Sequence, residues 1–170
     1  IHNLTHEITP YNIFEASYRL FQTVEYWPEG TTFISVVDPG VGSKRKSVVA
    51  LTENNQYIVT PDNGTLTYIK THVGIKAIRE ISEVKNRRQN TEYSYTFHGR
   101  DVYAYTGAKL ASGHITFEEV GPELTVDAVL ELPVVETVIG DNFVCGAVDI
   151  LDVRFGSLWT SIKREDFYTL

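Results

Sequence analysis

Thr32 to Val37 (TFISVV) form a short, nearly continuous run of apolar and β-branched residues that passes straight into Asp38-Pro39-Gly40-Val41-Gly42. A strand buried on both faces reads this way, since neither face can be left polar. The run therefore predicts a sheet covered by helices. One helix precedes it. Thr9-Pro10 offers a hydroxyl cap and a proline at the first helical position. Ile13, Phe14, Ser17, Leu20, Phe21 and Val24 then recur at helical spacing, and Trp27-Pro28-Glu29-Gly30 ends the pattern. Downstream, Ser47 to Thr52 and Tyr57 to Thr60 read as strands joined by a turn at Glu53 to Gln56. Pro61 to Gly64 reads as a type I turn, Thr65 to His72 as a short helix and Ile75 to Ile81 as a strand. Glu83 to Tyr93, with Lys85, Arg87 and Arg88, reads as an exposed polar loop. Asp101 to Ser112 reads as a helix stopped by Gly113.

From Pro133 onward the pattern is strand alone. Val134 to Ile139, Phe143 to Asp152 and Leu158 to Ile162 predict a β-meander with turns at Gly140 to Asn142 and Arg154 to Gly156. The fold class expected is α/β, with a central mixed sheet over residues 1–130 and the start of a truncated C-terminal β-barrel over residues 133–170. A length of 170 residues suits one domain and a fraction of another. The chain has no Met and begins at Ile1 on a strand-like segment, which reads as a piece of a longer protein.

Net charge is −7, the wrong sign for a nonspecific phosphate-backbone binder, so no nucleic-acid partner is expected. No apolar run approaches the ~18 residues of a membrane span, so no membrane partner is expected either. The single cysteine, Cys145, makes no internal disulfide and suits a reducing, cytoplasmic setting. It reads as a small buried hydrophobe.

Three segments carry polar groups where chemistry is done. Asp38 stands at the carboxyl end of a strand, where ligands of open α/β sheets bind, and Gly40 and Gly42 let a ligand approach the backbone. Arg45, seven positions on, can fold back to pair with Asp38; the structural alternative is a turn with a surface ion pair. No GK[ST] follows, so this is not a phosphate-binding loop of that kind. His98, in Thr96-Phe97-His98-Gly99-Arg100-Asp101, opens a helix and can act as base or hydrogen-bond acceptor near pH 7. The alternative is a capping histidine beside a solvated Arg100–Asp101 pair. In Asp152 to Ile162, Phe155 and Trp159 flank Gly156 and Ser157, a pattern that suits a flat heterocycle or, alternatively, barrel core. No histidine pair has metal-binding spacing, and no metal is expected.

Taken in order, THEITP (Thr5 to Pro10), PEGTTFISVVDPGVGSKR (Pro28 to Arg45), PDNGTLTY (Pro61 to Tyr68), TFHGRDVYA (Thr96 to Ala104) and RFGSLWTSI (Arg154 to Ile162) resemble the S-adenosyl-L-methionine hydroxide adenosyltransferases, relatives of the bacterial fluorinase and chlorinase. The resemblance runs over nearly the whole chain. It implies an N-terminal α/β domain, a C-terminal β-barrel and a homotrimer whose active sites lie between one subunit's N-terminal domain and a neighbour's barrel.

It also implies roles. The family's catalytic Asp, Arg and His fall on Asp38, Arg45 and His98. In the halogenases the positions of that Asp and His carry other residues, so water rather than halide is the expected nucleophile. The substrate would be S-adenosyl-L-methionine, hydrolysed to adenosine and L-methionine without a cofactor. Tyr11 falls near the ribose and Gly99 beside the nucleophile. Asp152 falls on an Asp that holds the methionine amino group, and Ser157 on an Asn that reads the ligand. Ser157 and Ser161 both depart from the family's Asn. The family's ribose-gripping first strand would precede Ile1, and its adenine-closing segment would follow Leu170. The competing readings are a chloride adenosyltransferase, a non-catalytic S-adenosylmethionine or adenosine binder, and a structural trimer domain.

Overall fold

Asn12, rather than Thr9, caps the first helix in the computed structural model, which describes residues 1–168. The side chain of Asn12 accepts from Glu15 N at 3.0 Å and opens α1, Ile13–Val24. Tyr11, with φ 69°, turns the backbone out of helical geometry and sets the later start. Thr9 N donates to Glu15 Oε2 at 3.0 Å, so the expected cap lies in the turn before the helix. Ala16, Ser17, Leu20 and Val24 form the buried face, as the 3.6-residue period requires.

The residues up to Leu132 form one unit, and those from Pro133 form another. The first is built on a mixed five-stranded sheet in the order Thr32–Ile34 (β1), Tyr57–Pro61 (β3), Ser47–Thr52 (β2), Ile75–Glu80 (β4) and Glu123–Leu124 (β5), consistent with the α/β expectation. β2 (Ser47–Thr52) is central and antiparallel to both β3 (Tyr57–Pro61) and β4 (Ile75–Glu80). Asn55, at φ 57°, makes the β2–β3 turn. β5 (Glu123–Leu124) pairs with β4. Alternation along the strands divides the core in two. Val48, Ala50 and Ile58 pack with Leu20 and Val24 of α1. Val49 and Val59 face the other way, onto Val102, Tyr103 and Leu110.

β1 corrects the strand expected over Thr32 to Val37. It spans only Thr32–Ile34 and pairs on one side, parallel to β3. Phe33 alone is buried, while Ile34 and Val36 stay exposed, because β1 stands at the end of the described sheet.

The expected exposed loop at Glu83 to Tyr93 is also corrected. It begins with α2 (Glu83–Asn86), and Asn86, Arg87 and Thr91 are buried. Burial is tolerated because their polar atoms are partnered. Asn86 Nδ2 donates to Val120 O at 2.8 Å, and Thr106 Oγ1 donates to Asn86 O at 3.1 Å. A wide π-helical segment, Gly99–Ala104, then runs into α3 (Tyr105–Ala111), and Gly113 follows with φ 69°. The short helix expected at Thr65 to His72 is likewise a π-helical segment, Ile69–Val73.

The second unit holds two separate hairpins rather than a meander. β6 (Val138–Gly140) pairs with β7 (Phe143–Cys145), and β8 (Val148–Asp152) with β9 (Ser157–Thr160). The strand expected over Phe143 to Asp152 breaks at Gly146 and Ala147, where Ala147 N turns to Ser161 Oγ at 3.0 Å. A short helix, α4 (Arg164–Phe167), follows. Cys145 is exposed, not buried, on its three-residue strand.

Candidate active site

Asp38 and Arg45 close a loop at the end of β1. Val41 N returns to Asp38 O at 3.2 Å and Ser43 N to Gly40 O at 3.0 Å, so the chain doubles back within five residues. Gly42 takes φ 78°, a left-handed conformation that glycine adopts without penalty. Arg45 is thereby aimed at Asp38. Nε donates to Oδ1 at 2.8 Å, and Nη2 makes a short contact with Oδ2. The side chains are 8% and 5% exposed, which overturns the surface ion pair as the alternative. A bidentate pair fixes both planes at once.

The rest of the pocket holds this pair. Arg45 Nη1 donates to Ser47 Oγ at 2.8 Å. Ser47 Oγ donates to Tyr103 Oη at 3.1 Å, and Tyr103 Oη donates to Asp38 Oδ2 at 3.3 Å. Burial pushes the Tyr103 phenol well above its ordinary value, so it is a donor at any working pH. Asn63, expected only as a turn residue, donates from Nδ2 to Val37 O at 2.9 Å and accepts from Thr65 Oγ1 at 2.8 Å. It therefore anchors the residue before Asp38. Asp62 beside it is buried, accepts from Leu130 N at 3.0 Å, and is raised by burial. With Lys44, Arg45 and Lys46 it lines a cavity of about 240 Å³.

His98 completes the cluster. It is 4% exposed and makes no side-chain cap, so the capping alternative fails. Nδ1 lies 2.9 Å from Arg45 Nη2, and Nε2 lies 3.0 Å from Arg87 Nη2. Burial lowers its pKa first; Arg45 and Arg87 lower it further, against Glu83 and Asp38, which raise it. The imidazole is held neutral. The Arg100–Asp101 pair is separate and half-buried: Asp101 is enclosed, with Arg100 donating at 2.6 and 2.8 Å.

The structure thus brings together Asp38, Arg45 and His98. Gly99 follows His98, and a Cβ there would lie 3.2 Å from Val36 Cγ1, so the backbone packs closely on the residue two before Asp38. Tyr11 is exposed on the turn before α1. The other four expected residues belong to the second unit. Asp152 is buried, with Oδ1 accepting from Arg154 N at 3.3 Å and Phe155 N at 3.4 Å, which makes it a turn former. Phe155, Ser157 and Trp159 are exposed, which removes the barrel-core alternative for the two aromatic residues within this unit. Arg87, Tyr103 and Asn63 were missed. The Glu83–Arg87 spacing of four was the available signal for Arg87. Among the described residues no group of three or more His, Cys, Asp and Glu is gathered to hold a metal, and no helix is long and apolar enough to cross a membrane.

Residues 1–121 match the family model described as the SAM hydroxide adenosyltransferase N-terminal domain. The chain is 36% identical over 165 residues to a protein of Methanocaldococcus jannaschii named (R)-S-adenosyl-L-methionine hydrolase, covering 96% of the chain and 54% of that protein. A protein of the same name from Thermus thermophilus is 35% identical over 167 residues, covering 95% and 62%. A fluorinase of an Actinoplanes species is 27% identical over 188 residues, covering 96% and 62%. The crystal structure of a conserved protein from Thermotoga maritima superposes with a TM-score of 0.90 at 38% identity, covering 99% of the chain and 62% of that one. The chain spans about half to three-fifths of the length of these relatives.

Proposed function

The chain belongs to the S-adenosyl-L-methionine hydroxide adenosyltransferase family, and on that premise we propose that the protein hydrolyses S-adenosyl-L-methionine to adenosine and L-methionine. The observation that carries this reading is the buried cluster of Asp38, Arg45 and His98. In the reaction the sulfonium makes the ribose 5′ carbon electrophilic. An oxygen of water attacks in line, the carbon–sulfur bond breaks, and its electron pair leaves with methionine as a neutral thioether. The water's second proton passes to a base. The reaction as written balances without a metal or a redox partner.

The difficult part is the nucleophile, because water is weak and must be held in line. Positioning replaces a bimolecular encounter and contributes several kcal/mol. Base assistance contributes ~10²–10⁴-fold in rate. Asp38 and His98 bind and polarise the water, and Arg45 keeps the Asp38 carboxylate oriented and fixed. Gly99 lets the nucleophile approach the backbone. Tyr11 contacts the ribose, and Asp152, Phe155, Ser157 and Trp159 contribute methionine and adenine contacts from a neighbouring subunit. That arrangement is a homotrimer with shared sites, the segment from Pro133 being the start of its β-barrel, and the setting is cytoplasmic.

Halide is the less favoured nucleophile. The relatives named as hydrolases are 35–37% identical, against 25–27% for the fluorinases. A carboxylate in the pocket also repels an incoming anion. The test is product analysis of the full-length protein with S-adenosyl-L-methionine in chloride buffer. Adenosine and L-methionine in equal amounts are expected. Formation of 5′-chloro-5′-deoxyadenosine, or tight binding without turnover, contradicts the reading.

A further inference from the structure

Arg87 is fastened on all sides. Its Nε and Nη2 donate to Glu83 Oε2 at 3.0 and 2.8 Å, and its Nη1 to the carbonyls of Thr91 and Ser94, both at 3.3 Å. The Tyr95 ring lies 5.1 Å from its Cζ. The second Nη2 proton remains, and it faces His98 Nε2 at 3.0 Å. On the opposite edge of the imidazole, Arg45 Nη2 faces Nδ1 at 2.9 Å.

A guanidinium donates and never accepts. A neutral imidazole has one N–H and one lone pair, so it accepts from only one of these two arginines at a time. Its proton must sit on the other nitrogen, against a donor. The two edges are not equivalent. The Nε2 edge is covered by Arg87 and the Thr91–Tyr95 segment that holds it. The Nδ1 edge faces the Asp38–Arg45 pair, where the hydrolase reading puts the nucleophilic oxygen. An oxygen entering there accepts from Nδ1–H, which gives that proton an acceptor, and keeps its other lone pair for the carbon.

We propose that Arg87 is a positioning residue that sets the tautomer of His98. By donating to Nε2 it places the ring's proton on Nδ1, and His98 then meets the attacking oxygen as a hydrogen-bond donor beside Arg45. The ring is not the base. The water's proton goes to the Asp38 carboxylate as the carbon–oxygen bond forms and the carbon–sulfur bond breaks. This rests on the hydrolase reading for its chemistry, though the tautomer itself is measurable without turnover.

The experiment is ¹⁵N NMR of the full-length protein carrying ¹⁵N-labelled histidine, with His98 assigned by its loss in His98→Asn. A protonated Nδ1 and an unprotonated Nε2 are expected. In Arg87→Met the proton moves to Nε2, and kcat falls about a hundredfold with KM little changed, the size of effect that a misplaced group causes. Arg87→Lys keeps a donor and recovers the native tautomer and part of the rate. A protonated Nε2 in the unaltered protein overturns the proposal, and that result needs no variant to fold. A tautomer that Arg87→Met leaves unchanged overturns it too. Adenosine release by the same sample separates the two claims: Nε2–H with adenosine defeats the tautomer alone, and Nδ1–H without adenosine defeats the hydrolase reading while upholding the tautomer.

Discussion

Arg45 Nη2 lies 2.9 Å from His98 Nδ1, and the same nitrogen is bonded to Asp38 Oδ2. Two segments 53 positions apart therefore meet at one guanidinium. Arg45 cannot move without disturbing both the carboxylate and the imidazole, so the three side chains respond to substitution as one unit.

Asp38→Asn should be costly in two ways. It leaves the Arg45 guanidinium buried without a counter-charge, and breaking a buried pair typically costs about 3–5 kcal/mol. It also removes the acceptor for the water's proton, so adenosine formation should fall by roughly 10²-fold or more. Thermal unfolding and a turnover assay measure the two effects. Full stability together with full rate would contradict the assignment.

His98 should make stability fall on the acid side. Burial, then Arg45 and Arg87, hold its pKa below the ordinary ~6.5. Between the folded and unfolded values the unfolded chain binds more protons, so stability rises with pH there. The contribution of His98 is complete above about pH 6.5 and is lost as pH falls through the lowered folded value. Urea midpoints across this range should slope less in His98→Asn than in the native protein. Parallel slopes would show that the ring is not held neutral.

Tyr103→Phe removes two bonds, its own to Asp38 Oδ2 and the one it accepts from Ser47 Oγ, and leaves Ser47 Oγ accepting from Arg45 Nη1. The loss should be about 1–3 kcal/mol, the net worth of two hydrogen bonds, with kcat reduced less than in Asp38→Asn. Chemical denaturation and the same turnover assay check this. A loss as large as that of Asp38→Asn would make Tyr103 a member of the reacting group rather than its support.

The parts of the fold that were legible are those set by local signals. The β2–β3 hairpin lies within a residue of its expected place because two β-branched runs flank an Asn-Asn turn. Asp38, Arg45 and His98 were legible because each lies in a motif and Arg45 is spaced to fold back on Asp38; what the structure adds is the meeting of His98 with Arg45. Arg87 was not legible as a buried residue. A polar run reads as solvated, and only the fold shows that Glu83, two carbonyls and His98 use its donors. The helix start moved to Asn12 because Tyr11 takes a backbone conformation that composition does not signal. In the second unit, alternation located the strands, but the break at Gly146 and the exposure of Cys145 depend on which strand pairs with which.

The central claim is that water, held by Asp38, Arg45 and His98, attacks the ribose 5′ carbon. The most direct measurement is a single incubation of the full-length protein with S-adenosyl-L-methionine in ¹⁸O-water, followed by mass spectrometry of the nucleoside. Adenosine carrying ¹⁸O at its 5′ oxygen is the expected result. Adenosine with unlabelled 5′ oxygen would contradict the account.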